Sequence, residues 1–171
     1  FVGRATGDGR FDVEMGKPTF AHPHLPENPP ETPYPLAAED GRTFQGWLAH
    51  YGNPHFVTFV ERDPMTMALT YGPDLETNAH FPDRANISFV RVLDDTLEAV
   101  VFERGVGITQ ACGTGACAIG VAAIRAGYRN FESPISVQLP GGVLKITITT
   151  SYDTTMNGPS MPVFKGEVSG V

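Results

Sequence analysis

The 171 residues are enough for one ordinary domain with its own core. A formal net charge of −7 and a pI of about 5.1 leave no basic stripe of the kind that general nucleic-acid or anionic-membrane binders carry. No apolar run approaches the roughly 18–20 residues of a membrane span, no basic-then-apolar leader opens the chain, and two cysteines do not make a disulfide framework. Free thiols in a reducing cytosol are therefore expected.

Taken in order, the chain opens on Phe1 rather than methionine, so something upstream is expected to have been removed, processed or left out of these residues. Phe11, Val13 and Met15 alternate with Asp12 and Glu14, a half-buried strand pattern. Residues 22–35 hold six prolines and little periodicity, as a surface connection does. His22 and His24 in that stretch have no cysteine or carboxylate cluster beside them, so no metal site is expected there. Residues 43–51 and 55–60 read as strands about the turn Gly52-Asn53-Pro54. Asp63 and Pro64 form an N-cap followed by proline at the first helical position, predicting a helix to about Tyr71 that stops at Gly72-Pro73. A hairpin is predicted from residues 87–92 and 97–103 about Asp94-Asp95. Residues 105–115 form a glycine-rich loop, followed by a helix over 116–126 with Gly127 as its stop. Residues 135–139 and 143–149 flank Pro-Gly-Gly as a second hairpin, and 161–164 read as a last short strand. The pattern is α+β: a mainly antiparallel sheet wrapped around a central helix.

The chemistry concentrates in GVGITQACGTGACAIGVAAIRAGY, residues 105–128. Cys112 stands in a glycine-rich turn just before a helix, where unpaired N–H groups carry partial positive charge. That position is expected to lower the thiol pKa and to cradle a carboxylate or phosphate, with Gly113 and Gly115 admitting a ligand close to the backbone. A thiol base beside a carboxylate clamp suits removal of a proton next to a carboxylate. Cys117, five residues on, matches no common zinc or redox spacing and is expected in the core.

The stretch FERGVGITQACGTGACA resembles the C-terminal signature of the diaminopimelate epimerases. DGRFDVEMGKPTF at 8–20, YGNPHFVTFV at 51–60, FPDRANISFV at 81–90, QLPGGVLKI at 138–146 and NGPSMPVFKGEV at 157–168 fit in the same order. The resemblance implies that residues 1–171 are one of two similar domains with substrate between them. It implies epimerisation of LL- to meso-diaminopimelate for lysine synthesis by two thiols on opposite faces of the α-carbon, without cofactor or metal. By the same resemblance Cys112 is one catalytic thiol, and Gly113 and Thr114 hold the α-carboxylate. Asn53, Asn86 and Arg104 contact the distal amino-acid end. Glu103 holds the ammonium, and His55 and Glu103 tune the thiol pKa. Phe164 matches an aromatic at a homodimer interface.

Two departures stand out. Ile108 replaces a glutamate common in the family, so a polar contact in the loop is expected to be lost. The second cysteine's motifs, asparagine-alanine-aspartate-glycine followed by cysteine-glycine-asparagine-glycine, do not occur in these residues. The resemblance therefore implies a partner, an N-terminal domain bearing that cysteine, and a chain that does not epimerise alone. The alternatives are a racemase of another amino acid in the same fold, a non-catalytic amino-acid-binding half-domain, and a thiol-redox protein, the last weakened by the lack of Cys-x-x-Cys.

Overall fold

The computed structural model describes residues 3–7, 9–20, 32–81, 83–160 and 165–167. The elements are β1 (Gly3–Ala5), β2 (Arg10–Gly16), β3 (Tyr34–Ala37), β4 (Thr43–His50), β5 (Pro54–Phe59), α1 (Pro64–Glu76), β6 (Asn86–Val92), β7 (Thr96–Glu103), β8 (Gly107–Ile108), α2 (Gly113–Arg125), β9 (Ile135–Leu139), β10 (Gly142–Ile148) and β11 (Thr154–Pro159). The α+β expectation holds. One sheet runs β1-β2-β11-β10-β9-β7-β6-β5-β4-β3, with β8 paired to β7. Its pairs are antiparallel except β5·β6 and β7·β9.

Strand side chains alternate between two cores, as the period of two requires. Phe44, Leu48, Phe56, Ile87, Phe89 and Val100 face α1. Trp47, Ala49, Val57, Val90, Ala99 and Val101 face α2. Every residue of α2 from Gly115 to Ala123 is buried, so this helix is apolar all round and the sheet curls about it. Strands as distant in sheet order as β4 and β10 both touch α2. The wrap is tied by Thr19 and His50, which exchange main-chain hydrogen bonds of 3.0 and 2.8 Å, and by Tyr51 Oη with Thr154 Oγ1 at 2.6 Å. Arg125 lies over the rings of Phe20 and Trp47 at 4.5 and 4.8 Å.

The structure corrects several local expectations. α1 does not stop at Gly72-Pro73 but runs through both to Glu76. Proline there removes one helical hydrogen bond. Leu75, fully buried, and Gly72, set against the Phe102 ring, supply the packing that carries the helix on. α2 begins three residues earlier than expected, at Gly113, because Cys112 rather than a later residue takes the extended cap conformation. β2 forms, but Phe11 is exposed, since the strand lies on the outer wing where only Met15 reaches the α2 cluster. β1, β3, β8 and β11 carry no clear period in the sequence and are supplied by sheet pairing. The strand expected over 161–164, with Phe164, and the histidines His22 and His24 lie outside the described residues.

Candidate active site

Parallel pairing sets His55 beside Asn86, so the N-terminal ends of β5 and β6 share one edge of the sheet. The antiparallel β6·β7 pair aligns Ile87 with Phe102, which brings Glu103 and Arg104 to the same edge. From there β8 leads directly into the N-terminus of α2. Phe102 joins the α1 core and Val101 the α2 core, so by alternation Glu103 lies on the α2 face with Cys112.

Cys112 is the N-cap of α2, with extended backbone (φ −133°, ψ 107°) and no side-chain cap bond. Cys112 is 6% exposed and its thiol fits because position 115 is glycine: a Cβ there would stand 3.1 Å from Cys112 Sγ and 3.1 Å from Val101 Cγ2. Cys112 Sγ is 3.7 Å from Thr114 Oγ1, which is 3.1 Å from His55 Nε2, which is in turn 3.1 Å from Asn53 Oδ1. A carbonyl oxygen only accepts, so this arrangement assigns the ring proton to Nε2. Nδ1 of His55 is then a bare lone pair, buried with no hydrogen-bond partner among the described residues. Burial, then His50, then Arg104 hold the imidazole down at about 3, so His55 is neutral at physiological pH.

Contrary to the expectation of a lowered thiol pKa, burial pushes Cys112 up to about 11. The Gly115 N–H and the Thr114 hydroxyl pull downward, but burial outweighs them. The Glu103 carboxylate adds to the rise by its charge and by hydrogen bonding to the protonated thiol. The helix end is present, but too few donors reach the sulfur to offset its removal from water. Cys117 is fully buried in the core, as expected.

Arg104 is exposed at the rim. Its main-chain N–H donates to Asn86 Oδ1 at 3.0 Å and its Nη1 to the Asp83 carbonyl at 3.2 Å. Asn86 is itself buried, with Nδ2 donating to the Pro54 carbonyl at 3.0 Å, so its amide ties the β5 start to the Arg104 turn. Gly113 and Thr114 are half-buried in the first turn of α2, Gly113 beside Met156.

Ile108 is packed, not loose: it rests against the α1-side cluster, paired in register with Phe102. Sequence reasoning missed Thr109, whose hydroxyl donates to Glu103 Oε1. It also missed Glu76, which accepts from the Gly105 N–H at 2.5 Å, and the support of Gln110 by Gly141, whose N–H reaches the Gln110 carbonyl at 2.7 Å. Thr109 lay inside the recognised signature and could have been found there. Glu76 was hidden by ending α1 too early. Cavities of about 390 and 460 Å³ lie at the far end of β4–β6, lined by residues such as Arg42, Phe44, Phe59 and Tyr128, and include none of these side chains.

A model of the diaminopimelate epimerase family matches residues 47–163. The chain belongs to the diaminopimelate epimerase family. A diaminopimelate epimerase of Sphingopyxis alaskensis is 41% identical over 162 residues, covering 94% of this chain and 59% of that protein. One from Pseudomonas aeruginosa is 40% identical over 164 residues with the same coverage. The chain thus spans about three-fifths of the length of these epimerases. Among solved structures, a hydroxyproline epimerase from Agrobacterium vitis superposes with TM-score 0.62 at 14% identity, over 88% of this chain and 50% of that one. A Pseudomonas aeruginosa protein described as a predicted epimerase gives TM-score 0.61 at 15% identity, over 99% of this chain and 62% of that one. At such identities these two support the fold alone.

Proposed function

We propose that this chain is the Cys112-bearing part of a diaminopimelate epimerase, an amino-acid isomerase. The observation that carries the reading is Cys112 capping α2 within reach of the Glu103 carboxylate and of the Thr114–His55–Asn53 chain. In this reading an N-terminal domain supplies the second thiol, and residues 1–171 alone hold half a site.

The substrate α-carboxylate binds the free N–H groups of Gly113 and Thr114, where the helix end favours negative charge as the carbanion develops. The partner domain's thiolate removes the α-proton from one face. Cys112, held protonated by burial, delivers its proton to the opposite face and becomes the thiolate, which the Gly115 N–H and Thr114 hydroxyl then stabilise. The substrate ammonium sits at Glu103. There it cancels the negative charge that raises the Cys112 pKa, so the same group serves as base in the reverse direction. Arg104, with Asn53 and Asn86, meets the distal amino-acid end, where a guanidinium fork suits a carboxylate. His55, neutral throughout, orients Thr114. The reading needs no cofactor and no metal, converts LL- to meso-diaminopimelate in lysine synthesis, and takes the protein as a cytosolic homodimer.

The test is incubation with LL-diaminopimelate in D2O, with and without the N-terminal domain of a relative, followed by NMR. Deuterium at the α-carbon and meso product are expected only with both parts, and Cys112→Ala should lower the rate by about 10²-fold or more. Exchange that survives that substitution would refute the role given to Cys112.

A further inference from the structure

We infer that Glu76, on the last turn of α1, is a positioning residue for Arg104. It holds the turn that carries the guanidinium and so sets how the distal end of the substrate is met. The inference rests on the proposed function for the identity of that substrate.

Glu76 is 6% exposed, and a carboxylate is kept that far from water only where donors compensate it. Its Oε1 takes the Gly105 N–H at 2.5 Å and Arg84 Nη1 at 3.4 Å. Its main-chain carbonyl accepts from the Ala85 N–H at 3.2 Å, which fixes the chain just before Asn86. Asn86 Oδ1 accepts from the Arg104 N–H. Two successive amides, those of Arg104 and Gly105, are therefore gripped by two buried side chains from separate elements. Gly105 has φ +74°, a left-handed turn conformation, so the direction in which Arg104 leaves the strand is fixed at this point.

The course of α1 serves the same contact. Had the helix ended at Gly72-Pro73, Glu76 would not reach the turn. The continuation is seated where a Cβ on Gly72 would stand 2.4 Å from Phe102, the residue before Glu103. The end of α1 thus braces residues 102–105 at both ends. If filling space were its only task, a Leu or Met at position 76 would avoid the cost of burying a carboxylate. A hydrogen-bond acceptor aimed at one backbone amide is what the site needs instead.

The test uses wild type, Glu76→Gln, Glu76→Met and, as a control on the exposed side of the same helix, Leu69→Gln. Amide exchange is read by NMR on this chain. In wild type the Gly105 amide should be protected despite its exposed turn. Glu76→Met should speed its exchange about tenfold or more, with Glu76→Gln close to wild type. Rapid exchange at Gly105 in wild type overturns the inference without any variant. Kinetics are read in the enzyme completed with its second thiol. Glu76→Met should raise KM for diaminopimelate about tenfold while kcat stays within about threefold, and glutamine should restore KM. An amino acid lacking the distal carboxylate and ammonium should show no such rise. Equal losses for both substrates, or a Gln variant no better than Met, would make Glu76 merely structural. If the wild-type enzyme does not turn over diaminopimelate, the substrate reading fails, and exchange at Gly105 alone decides the grip.

Discussion

The two helices, thirteen residues each, do opposite work. α2 is small-residue rich, buried on every side and enclosed by the curled sheet, and its N-terminus is capped by the thiol residue Cys112. α1 lies on the other face with an exposed side that includes Leu69, and its last turn braces the Arg104 turn. In the proposed reading a single sheet edge thus receives chemistry from one face and support from the other. Substitutions on the two helices should therefore fail in different ways.

The largest difference is expected in stability. Ile119→Ala, in the fully buried α2 core, should cost about 2–5 kcal/mol, whereas Leu69→Ala on α1 should stay within about 0.5 kcal/mol. Urea unfolding checks both, and similar midpoint shifts for the two would break the contrast. Next come the glycines that admit a neighbour. Gly72→Ala, whose Cβ would stand 2.4 Å from Phe102, should cost about 1–3 kcal/mol or more through overpacking, and Gly115→Ala, 3.1 Å from its neighbours, should cost less. Only Gly115→Ala, whose Cβ meets Cys112 Sγ, should change the rate of thiol alkylation.

A smaller effect is a pH dependence on the α2 side. The folded-state pKa of His55 lies below its unfolded value, so the unfolded chain binds the extra proton first. Its contribution is complete above about pH 6.5 and is lost as pH falls toward about 3. His55→Gln should flatten the stability profile between about pH 5 and 6.5, before most carboxylates titrate. An unchanged slope there would mean that the imidazole is not held neutral. Finer still is Glu103→Gln. By removing the charge that adds to the thiol's rise, it should move the pH midpoint of Cys112 alkylation below about 11. A shift upward would contradict the placement of that carboxylate beside the thiol.

Much of this contrast was legible in the sequence, but unevenly. The β4–β5 and β6–β7 hairpin signals and the Asp63-Pro64 start of α1 are local, and they came out where expected. The end of α1 did not, because tertiary packing of Gly72 and Leu75 overrode a strong local stop signal. β11 and β1 have no clean alternation and exist through their partners. In the candidate site, the signature pointed to residues 103–114, and the sheet register explains how Asn53, His55 and Asn86 come to the same edge. The direction of the Cys112 pKa shift was not legible. A helix N-terminus can be read from spacing, whereas the burial that outweighs it depends on how the tertiary fold seats the sulfur against Gly115. Glu76 was out of reach for a similar reason, since its acceptor role depends on a helix extension that local preference argues against.

The most direct test of the division between the helices is thiol labelling with iodoacetamide, read by mass spectrometry with and without diaminopimelate. Cys112, at the cap of α2, should be modified, slowly at neutral pH and faster toward pH 11, while Cys117 stays unmodified in the folded chain. Diaminopimelate should protect Cys112 once the second thiol's domain is present. Labelling of Cys117 at a matching rate, or no protection by the substrate, would contradict the assignment of the reactive centre to the N-terminus of α2.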